Sequence, residues 1–437
     1  MESFYLLGGL IMKENLILFA GIFIFLCTFY FIISEKYQKP TVSVIGGGLM
    51  ILLGILDEEK ALETIGYNLE ILCLLIGMMI IVEIMSETGL FQWVAIKTAQ
   101  SVKGNAMKIL MLFSLVTAFC SAMLDNVTTI LLMVPITIFL VKKLKLDPKP
   151  FILIEIFMSN IGGTATMIGD PPNLIIASLG DIGFNEFILN LMPVIVLNII
   201  IILFVTKIFL KKKLKVSREL KNSIMELDVS RTIKDKKLMV QSLVIFLIVI
   251  FGFLTNIFTH IGLAVIAILG SFVLILISKK KLEEILVKVE WEMIFFFGGL
   301  FILVQGIEEL GIVEKLGEKI ILLTQGNLKL TSSLVLIVST FISPILGAIP
   351  STLSLGKVIL EILPTYVGET RILWWALSLG ACLGGNMTII GTAANMVGVL
   401  VAQKVGVEIS FKEFFKYGIM VVLQTTIVSL IYLYIRY

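Results

Sequence analysis

Residues 161–173 read IGGTATMIGDPPN and interrupt a long apolar run with two adjacent glycines, two prolines, an Asp and an Asn. A membrane helix that loses its helix-forming residues leaves backbone carbonyl and amide groups unpaired. Such backbone is tolerated at membrane depth only where it is buried in protein or lines a cavity. Transporters build ion and substrate sites from discontinuous helices of this kind. The stretch therefore predicts a broken helix at a functional site.

The composition indicates a membrane protein. The chain has 437 residues, of which 58% are hydrophobic and 15% charged, and its mean hydropathy is +1.04. Soluble domains average about 45–50% apolar and about 25% charged residues. We therefore predict an all-α polytopic protein of the plasma (inner) membrane, surrounded by lipid. The net charge of +3 is small and the basic residues cluster in loops, which indicates topology rather than nucleic-acid binding.

The cysteines and the histidine do not predict a metal or redox centre. The four cysteines lie far apart in apolar segments, with no CxxC pair and no zinc spacing, and are interpreted as small core residues: Cys27, Cys73, Cys120 and Cys382. His260 is the single histidine of the chain. No protein cofactor is expected beyond a coupling ion, H+ or Na+.

Apolar runs of roughly the 20 residues that a span needs predict ten transmembrane segments. They lie at 14–34, 42–56, 68–86, 150–178, 187–210, 238–258, 261–278, 291–309, 371–401 and 414–435. Segments 107–141 and 331–363 each break near the middle, at Asp125-Asn126 and around Gly347–Pro350. We predict that both are re-entrant hairpins. A tight pair of full spans is the alternative.

Lysine and arginine in short loops predict the orientation. The loops after residues 34, 97 and 141 are basic and are placed in the cytoplasm, whereas the acidic loop 57–63 is placed outside. Loop 211–237 carries ten Lys and Arg residues and is interpreted as a solvated cytoplasmic linker rather than a lipid-binding patch. Both termini are predicted to lie outside.

The second half of the chain repeats the first at a constant offset, which takes residue 162 to residue 384. The first repeat is 14–210, the linker 211–237 and the second repeat 238–435. Gly77 recurs as Gly299 and Glu186 as Glu408, without a gap. The opening motif recurs as LGGNMTIIGTAAN, with Gly384, Gly385, Thr388, Ile390, Gly391 and Asn395 in place of Gly162, Gly163, Thr166, Ile168, Gly169 and Asn173. Five spans separate equivalent elements, so the second repeat is predicted to be inverted, with the sites near the midplane.

The first hairpin tip places Asp125, Asn126 and Thr128 deep in the bilayer. A central charge costs about 2.5–3.5 kcal/mol on insertion scales. Asp125 is therefore expected to face a cavity, bind a proton or contact a cation, and Asn126 offers both an acceptor and donors. The alternative is a polar helix break that satisfies its own backbone.

Asp170 lies in the unwound sequence GDPP, where two prolines leave upstream carbonyls without donors. Those carbonyls, with Thr166 and Asn173, are predicted to coordinate an ion, and a Na+ site is predicted at Asn126, Asp170 and Asn173. The alternative role of Asp170 is to cap the second half-helix. Glu155, further out on the same segment, is interpreted as a partner of a loop lysine, with membership of the site as the alternative. Four carboxylates are interpreted as interfacial or scaffold groups: Glu83, Glu87, Glu308 and Glu309.

The two halves differ chemically. Gly347-Ala348 stands where the first tip has Asp125-Asn126, and Thr392-Ala393-Ala394 stands in place of Asp170-Pro171-Pro172. The first half is thus suited to a cation. The second offers neutral groups suited to an oxyanion or a hydroxylated solute: Asn386, Thr388, Thr392 and Asn395.

Three stretches carry a resemblance to a known group: LDNVTTILLMVP (124–135), IGGTATMIGDPPN (161–173) and FFFGGLFILVQGIEELG (295–311). They resemble the ion transporter superfamily, in its arsenite-efflux permease and P protein-like branch with a citrate transporter-like domain. The resemblance implies that hairpin tips and broken helices bind ion and substrate, through Asn126, Gly169, Asp170 and Asn173 and also through Thr388, Gly391 and Asn395. It further implies a homodimer with an elevator-like movement.

The sequence therefore predicts a secondary active transporter of a small anion or arsenite-like solute, coupled to H+ or Na+ or to the membrane potential. A Na+/H+ antiporter and a sodium-coupled di- or tricarboxylate carrier are the alternatives. An enzyme is disfavoured because no nucleophile–base pair and no HExxH motif is present. The chain has no P-loop, so an ATP-driven process would need a separate ATPase subunit as a partner.

Overall fold

The computed structural model describes residues 2–34, 36–211, 214 and 216–437, with side chains from Asn15 onward. Over this part of the chain the secondary structure is helical, as predicted. Before the linker there are ten helices: α1 (Glu2–Ser34), α2 (Lys39–Leu52), α3 (Glu58–Tyr67), α4 (Leu69–Glu87), α5 (Leu90–Ser101), α6 (Ala106–Met123), α7 (Asn126–Lys143), α8 (Lys149–Gly163), α9 (Pro171–Gly180) and α10 (Phe184–Leu210).

The linker contains α11 (Arg218–Met225) and a short 3-10 helix, Val229–Thr232. The second half follows with α12 (Lys236–Thr259), α13 (Leu263–Ser278), α14 (Leu282–Leu286), α15 (Trp291–Glu309), α16 (Ile312–Thr324), α17 (Leu328–Leu346), α18 (Ala348–Ile362), α19 (Arg371–Gly384), α20 (Ala393–Lys404) and α21 (Phe411–Arg436).

Nine of the described helices are long and apolar enough to cross a membrane, and they comprise α1 from Asn15 together with α4, α6, α7, α10, α12, α15, α17 and α21. Helices α2 and α13 are also apolar but have only 14 and 16 residues. The molecule is thus a multi-pass helical membrane protein.

Both predicted helix breaks are confirmed. Residues 164–170 separate α8 from α9, and two short 3-10 turns, Gly385–Met387 and Ile389–Gly391, separate α19 from α20. Pro171 and Pro172 open α9, where their missing amide hydrogens leave no helical hydrogen bond unmade. The chain therefore restarts as a helix directly after Asp170.

The two predicted hairpin breaks are also confirmed. Leu124 and Asp125 separate α6 from α7, and Gly347 separates α17 from α18. Gly347 has φ +92°, a backbone conformation that favours glycine. Helices α6 and α7 have 18 residues each, which fits both a re-entrant hairpin and a pair of minimal spans.

From α4 to α9, helix starts follow the constant offset of the repeat. Each of the helices α4–α9 begins at a residue whose counterpart begins the matching helix of α15–α20, as Leu69 and Trp291 do. Helix α10 begins at Phe184, whose counterpart by the same offset is Gly406, but α21 begins only at Phe411. The predicted gapless register is therefore wrong at the last helix, where the second half holds additional residues.

Two ion pairs show the corrected register. Arg371 pairs with Glu186 in the first turn of α10, and Lys149 pairs with Glu413 in the first turn of α21, both at 3.3 Å. Arg371 and Lys149 are themselves counterparts, since they begin the equivalent helices α19 and α8. Glu413, and not Glu408, therefore occupies the position equivalent to Glu186.

Helices of the two halves pack against each other in matching pairs. Helix α2 packs on α15 and α4 on α13, while α7 packs on α20 and α9 on α18. Close approach requires the repeated glycines: a Cβ added at Gly77 would lie 2.7 Å from the carbonyl carbon of Ala267, and one at Gly299 would lie 2.5 Å from that of Ser43. The halves are thus interlocked rather than side by side.

Four carboxylates at the ends of α4 and α15 make ion pairs, in agreement with their interpretation as scaffold groups. Glu83 and Glu87 pair with Lys288, Glu87 also pairs with Lys280, Glu309 pairs with Lys60 at 2.7 Å, and Glu308 pairs with Lys357 at 2.7 Å. The bonds of Glu83, Glu87 and Glu309 join residues of opposite halves. Lys357 lies on α18, inside the second hairpin, and was not singled out from the sequence.

The linker is folded against the bundle, which corrects its interpretation as a solvated loop. Ile224 is fully buried, and Val229 is buried as well. Gln100 Nε2 donates to the carbonyls of Ile224 and Leu227 at 3.3 and 2.9 Å, which fixes α11 to α5. Of the basic residues counted there, Lys212, Lys213 and Lys215 lie outside the described residues.

Substitution of Gly162 tests the packing of the first hairpin on the first broken helix. A Cβ at Gly162 would lie 2.1 Å from the carbonyl oxygen of Ala118, so Gly162→Ala must push α6 and α8 apart. We expect a loss of about 1–3 kcal/mol, because overpacked helix contacts strain the backbone. Thermal unfolding of the detergent-solubilised protein measures it.

Gly48→Ala is the matched control, since no atom lies within 4 Å of the added Cβ on α2. This variant should unfold at the wild-type temperature or slightly above it. Equal stability of the Gly162 and Gly48 variants would contradict the close contact.

Candidate ion and solute site at two broken helices

Asn126 joins the first hairpin tip to the first broken helix. Ser121 Oγ donates to Asn126 Oδ1 at 2.9 Å, and Asn126 Nδ2 donates to Asn160 Oδ1 at 3.2 Å. Ser121 Oγ also bonds to the carbonyl of Ser159 at 2.7 Å, and Ser159 Oγ donates to the carbonyl of Asn126 at 3.2 Å. The tip is therefore fixed on α8 by buried hydrogen bonds.

Asn160 links the two halves at the centre of the network. Its Nδ2 donates to Asn386 Oδ1 at 2.7 Å and to Asn395 Oδ1 at 2.8 Å. Its Oδ1 accepts from Thr392 Oγ1 at 3.3 Å as well as from Asn126. Asn160, Asn386 and Asn395 are fully buried. Through this one side chain the first hairpin tip, the first broken helix and the second broken helix meet.

Asn173 and Asn395 hold the two unwound segments in shape. Asn173 Nδ2 donates to the carbonyls of Thr164 and Thr166 at 3.2 and 2.8 Å, and Asn395 Nδ2 donates to those of Gly385 and Thr388 at 2.8 Å. Because each break interrupts the α-helical hydrogen-bond pattern, the carboxamides supply donors to carbonyls that the break leaves without their α-helical bonds.

Cys382 is part of this network. Asn173 Oδ1 accepts from Ser378 Oγ at 2.7 Å and from Cys382 Sγ at 3.4 Å. Cys382 is the counterpart of Asn160 in the second half, and its bond to Asn173 mirrors the bond from Asn160 to Asn395. The interpretation of Cys382 as an ordinary core residue is therefore incomplete.

Thr166 and Thr388 join each break to the hairpin of the same half. Thr166 Oγ1 donates to the carbonyl of Ala122 at 2.5 Å, and Thr388 Oγ1 donates to that of Pro344 at 2.7 Å. Gly169 N donates to Thr166 Oγ1 at 3.1 Å, and Gly391 N to the carbonyl of Thr388 at 3.2 Å. The predicted threonines and glycines thus lie together at the breaks.

Asp125 caps helix α7 and also borders a cavity. Its Oδ1 accepts from the amide of Thr128 at 2.8 Å, which is the N-terminal cap of α7. It lines a cavity of about 20 Å³ together with Met78 and Val82 of α4 and Ile168 of the first break. Such a volume is sufficient for one water molecule. Asp125 therefore faces a cavity, as considered from the sequence, and in addition caps α7.

Asp170 occupies the N-cap position of α9, but its side chain makes no capping hydrogen bond. The alternative that Asp170 caps this helix is therefore wrong for its side chain. The carboxyl is buried, with Oδ2 lacking a hydrogen-bond partner among the described residues, and it lies next to the side chains of Asn126 and Cys382 and near the charge of Asp125. Its counterpart Thr392 does cap α20, accepting from the amide of Asn395 at 3.2 Å.

Asn386 Nδ2 of the second break is also buried without a partner in the described part of the chain, as are Thr352 Oγ1 and Ser354 Oγ of α18. All three can donate hydrogen bonds. At the two breaks themselves, the unpartnered group is therefore the carboxyl oxygen of Asp170 in the first and the amide donor of Asn386 in the second.

Two cations lie at the outer ends of the half-helices that begin at the breaks. Arg371 donates to the carbonyls of Gly180 and Asp181, at the end of α9, and Lys142 donates to the carbonyl of Val405 at the end of α20. Cations are favourable at helix C-termini. Each half-helix thus has a cationic side chain at its C-terminal end, the end that lies away from the break.

Glu155 makes no ion pair with a lysine among the described residues, contrary to expectation. Its side chain is fully buried, and Oε1 accepts from Thr137 Oγ1 at 2.5 Å. Among the described residues, no group of three or more His, Cys, Asp or Glu side chains could hold a metal ion.

Asn160 was missed from the sequence, although it directly precedes the opening motif. The halves were matched by identical residues, and the counterpart of Asn160 is Cys382. An Asn in the middle of an apolar run was the available signal, because a buried carboxamide needs partners.

Glu290 precedes α15 and faces the first hairpin tip. The pKa of Glu290 is raised to about 8, chiefly by burial and also by the nearby charges of Asp125 and Glu292. Because the folded state then holds this proton more tightly than the unfolded chain, Glu290 contributes stability at low pH that is lost as the pH rises from 4.5 to about 8.

Glu290→Gln should therefore remove part of the pH dependence of stability. We expect the unfolding temperature in detergent to fall less between mildly acidic and mildly alkaline buffer in the variant than in the wild type. Parallel pH profiles would contradict this role of Glu290.

Asn160→Ala tests the central bridge. The substitution leaves the carboxamide oxygens of Asn386 and Asn395 without their donor, and each buried unsatisfied group costs about 1–3 kcal/mol. We expect a clear loss of thermal stability in detergent. Asn185→Ala is the control, because Asn185 makes one bond at the surface, to the carbonyl of Leu254; equal unfolding temperatures for the two variants would exclude a bridging role.

Three comparisons place these features among known proteins. Residues 29–380 match the model of the CitMHS family, described as citrate transporter. A 46 kDa membrane protein of Mycobacterium leprae is 37% identical over 422 residues, which cover 95% of this chain and 98% of that protein. An uncharacterized transporter of Mycobacterium tuberculosis is 36% identical, with coverage of 96% and 98%.

More distant similarity extends to animals and to a solved structure. The mouse P protein is 32% identical over an alignment covering 93% of this chain and 60% of that protein. The crystal structure of the YdaH transporter of Alcanivorax borkumensis has a TM-score of 0.59 at 13% identity, and the match covers 91% of this chain and 98% of that one. That likeness shows a shared fold. The family match over most of the sequence, with the mycobacterial relatives aligned nearly end to end, shows that the chain is a membrane transporter of the CitMHS family.

Proposed function

We propose that the chain is a secondary active transporter that moves a small anion or an arsenite-like solute, coupled to H+ or Na+ or to the membrane potential. The observation that carries the proposal is the buried carboxyl of Asp170, whose Oδ2 has no hydrogen-bond partner among the described residues and lies at the meeting point of a helix break and a hairpin tip. A buried charge without partners is costly, so we expect a proton or a cation to be bound at this oxygen.

For the coupling ion we propose Asp170, with Asp125 and Asn126 beside it. Asn126 Oδ1 accepts a single hydrogen bond, from Ser121, and so keeps one lone pair for a cation. Asn173 Oδ1 already accepts two hydrogen bonds, from Ser378 and Cys382. Of the three side chains predicted to hold Na+, Asn173 is therefore better suited to bracing the loop.

For the solute we propose the second half. Its orphan donors, on Asn386, Thr352 and Ser354, match the oxygens of an anion or of a neutral hydroxylated solute. The N-termini of α18 and α20 also favour negative charge. The site thus separates an acceptor-rich ion region from a donor-rich solute region.

A sodium-coupled citrate or other di- or tricarboxylate carrier is the second candidate, and the description of the family as citrate transporter favours it. A multivalent carboxylate favours a cationic side chain at its site. Lys357 of the second hairpin is paired with Glu308 at 2.7 Å and bonds Gln305 at 3.1 Å. Citrate would have to be held by the neutral donors, or to displace this pair.

A Na+/H+ antiporter is the third candidate. The carboxyls of Asp125, Asp170 and Glu290 lie near enough to interact by charge. Such a group suits the exchange of Na+ for H+ at one site.

For the architecture we propose two inverted repeats, with re-entrant hairpins and both termini outside the plasma membrane. The matching cross-half packing of α2 on α15 and α4 on α13 supports a pseudo-twofold arrangement. The hydrogen bonds among the hairpin tips and both breaks support their movement as one body, in an elevator-like manner, within a homodimer.

Asp125→Asn and Asp170→Asn test the ion half of the proposal. Asn is as good an N-cap as Asp, so Asp125→Asn keeps the cap of α7 and removes only the charge. We expect both variants to fold and to lose gradient-driven uptake in proteoliposomes with separately imposed Na+ and proton gradients. The probes are radiolabelled arsenite, citrate, phosphate and succinate.

Asp181→Asn, at the end of α9, is the control acidic substitution and should transport normally. Gradient-driven uptake that survives in both site variants would overturn the role of these carboxyls. Sodium-dependent collapse of a pH gradient in everted vesicles, without uptake of any probe, would favour the antiporter instead.

A further inference from the structure

Glu155 is a buried acid that neither the ion region nor the solute region uses. It lies on α8, between α8 and α7, and its side chain has no solvent exposure. Its helical neighbours one turn away are also fully buried, and they are Phe151, Ile152, Met158 and Ser159. No ion pair to Glu155 is formed in the described part of the chain, and the Thr137 hydroxyl is the one polar group that acts on its carboxyl.

The hydrogen bonding of this carboxyl fits a neutral acid. Oε1 accepts from Thr137 Oγ1 at 2.5 Å, whereas Oε2 is buried without a partner among the described residues. A carboxylate here would hold a full negative charge in an apolar interior on one hydrogen bond, which is strongly unfavourable. The protonated form carries no charge.

Charged groups on the helices packed against α8 do not reach this carboxyl. On α7, Lys142 donates to the carbonyl of Val405, and Lys143 lies in the last turn. On α21, Glu413 pairs with Lys149, and the pair of Arg371 and Glu186 joins α19 to α10. The remaining charged residues of these helices, all at helix ends, are Lys108, Lys207, Lys404, Lys412, Lys416 and Arg436.

Glu155 nevertheless lies close to the site along its own helix. It lies one helical turn before Ser159, whose hydroxyl bonds to the carbonyl of Asn126. On α7, Thr137 and Thr129 follow Asn126 on the same helix face, and the hydroxyl of Thr129 is buried without a partner among the described residues. Polar side chains therefore occur on both helices between Glu155 and the first hairpin tip: Thr137 and Thr129 on α7, and Ser159 on α8.

We propose that Glu155 is a proton-binding site, separate from the ion region at Asp125 and Asp170, and that its proton is coupled to transport in addition to the ion held there. The coupling part rests on the proposed function, whereas the proton-binding part does not. Because α7 and α8 also carry Asn126 and Asn160, the proton would travel with the helices that form the ion region.

Infrared spectroscopy of the protein reconstituted in lipid tests this directly. A protonated carboxylic acid gives a C=O stretching band that a carboxylate and a glutamine side chain lack. We expect such a band in the wild type, its loss in Glu155→Gln, and its retention in Asp170→Asn. We further expect it to diminish as the pH of the buffer is raised and to respond to D2O.

Thr137→Val serves as the second variant, should Glu155→Gln fail to fold. Removal of the one hydrogen bond to the carboxyl should move the band to higher frequency without abolishing it. No shift in Thr137→Val, or a band that survives intact in Glu155→Gln, would overturn proton binding at Glu155. A Glu155 band that is unchanged over the whole pH series would show a permanently neutral acid and would overturn the coupling role.

These outcomes are independent of the identity of the solute. If none of the transport probes is taken up while the band behaves as expected, the proposed function fails and the proton-binding site stands. If uptake depends on a proton gradient and the band does not belong to Glu155, the proposed function stands and this inference fails.

Discussion

Two helices that break inside an apolar bundle leave carbonyl groups without α-helical partners, and the structure depends on supplying hydrogen-bond donors to those carbonyls. A polar group buried without a hydrogen bond costs several kcal/mol, of the order of 2–7 by transfer data. Asn173 and Asn395 each supply two donors to the loop that precedes their own half-helix. Asn160 then joins the two loops through their carboxamides. Asparagine suits this work because one short side chain offers two donors and an acceptor.

The residues that are identical in the two halves make structural contacts, and the residues proposed to bind ion and solute are among those that differ. Glycines and threonines at equivalent positions let the hairpins approach the breaks and bond to them, as Thr166 and Thr388 do. At three equivalent positions the halves diverge: Asp125 and Gly347, Asn160 and Cys382, and Asp170 and Thr392. The duplicated frame is thus kept, while one copy holds the acidic groups and the other the neutral donors.

The breaks, the hairpin tips and most of the site could be predicted because Gly, Pro and Asp are informative in an apolar run, where little else interrupts a helix. Asn160 could not be found by comparing identical residues of the two halves, because its counterpart in the second half is Cys382. The start of α21 could not be predicted, because the length of the preceding loop, and not a periodic pattern, decides where a helix resumes. The packing of α11 on the bundle was not predicted, because a highly charged segment can still bury one apolar side chain, here Ile224. The solute is not encoded in any of these features.

The two half-helices offer different electrostatic environments at their inner ends, although their outer ends are neutralised alike. Arg371 covers the end of α9 and Lys142 the end of α20. At the inner ends, the positive pole of α9 meets the carboxyl of Asp170, whereas that of α20 meets only the hydroxyl of Thr392. A helix N-terminus is worth about 0.3–1 kcal/mol to a negative group, and more when partly buried. At α9 this position is thus occupied by an acidic residue of the protein itself, whereas at α20 it is occupied by a neutral one. In the function proposed above, the dipole of α20 is therefore the one left to act on an incoming solute.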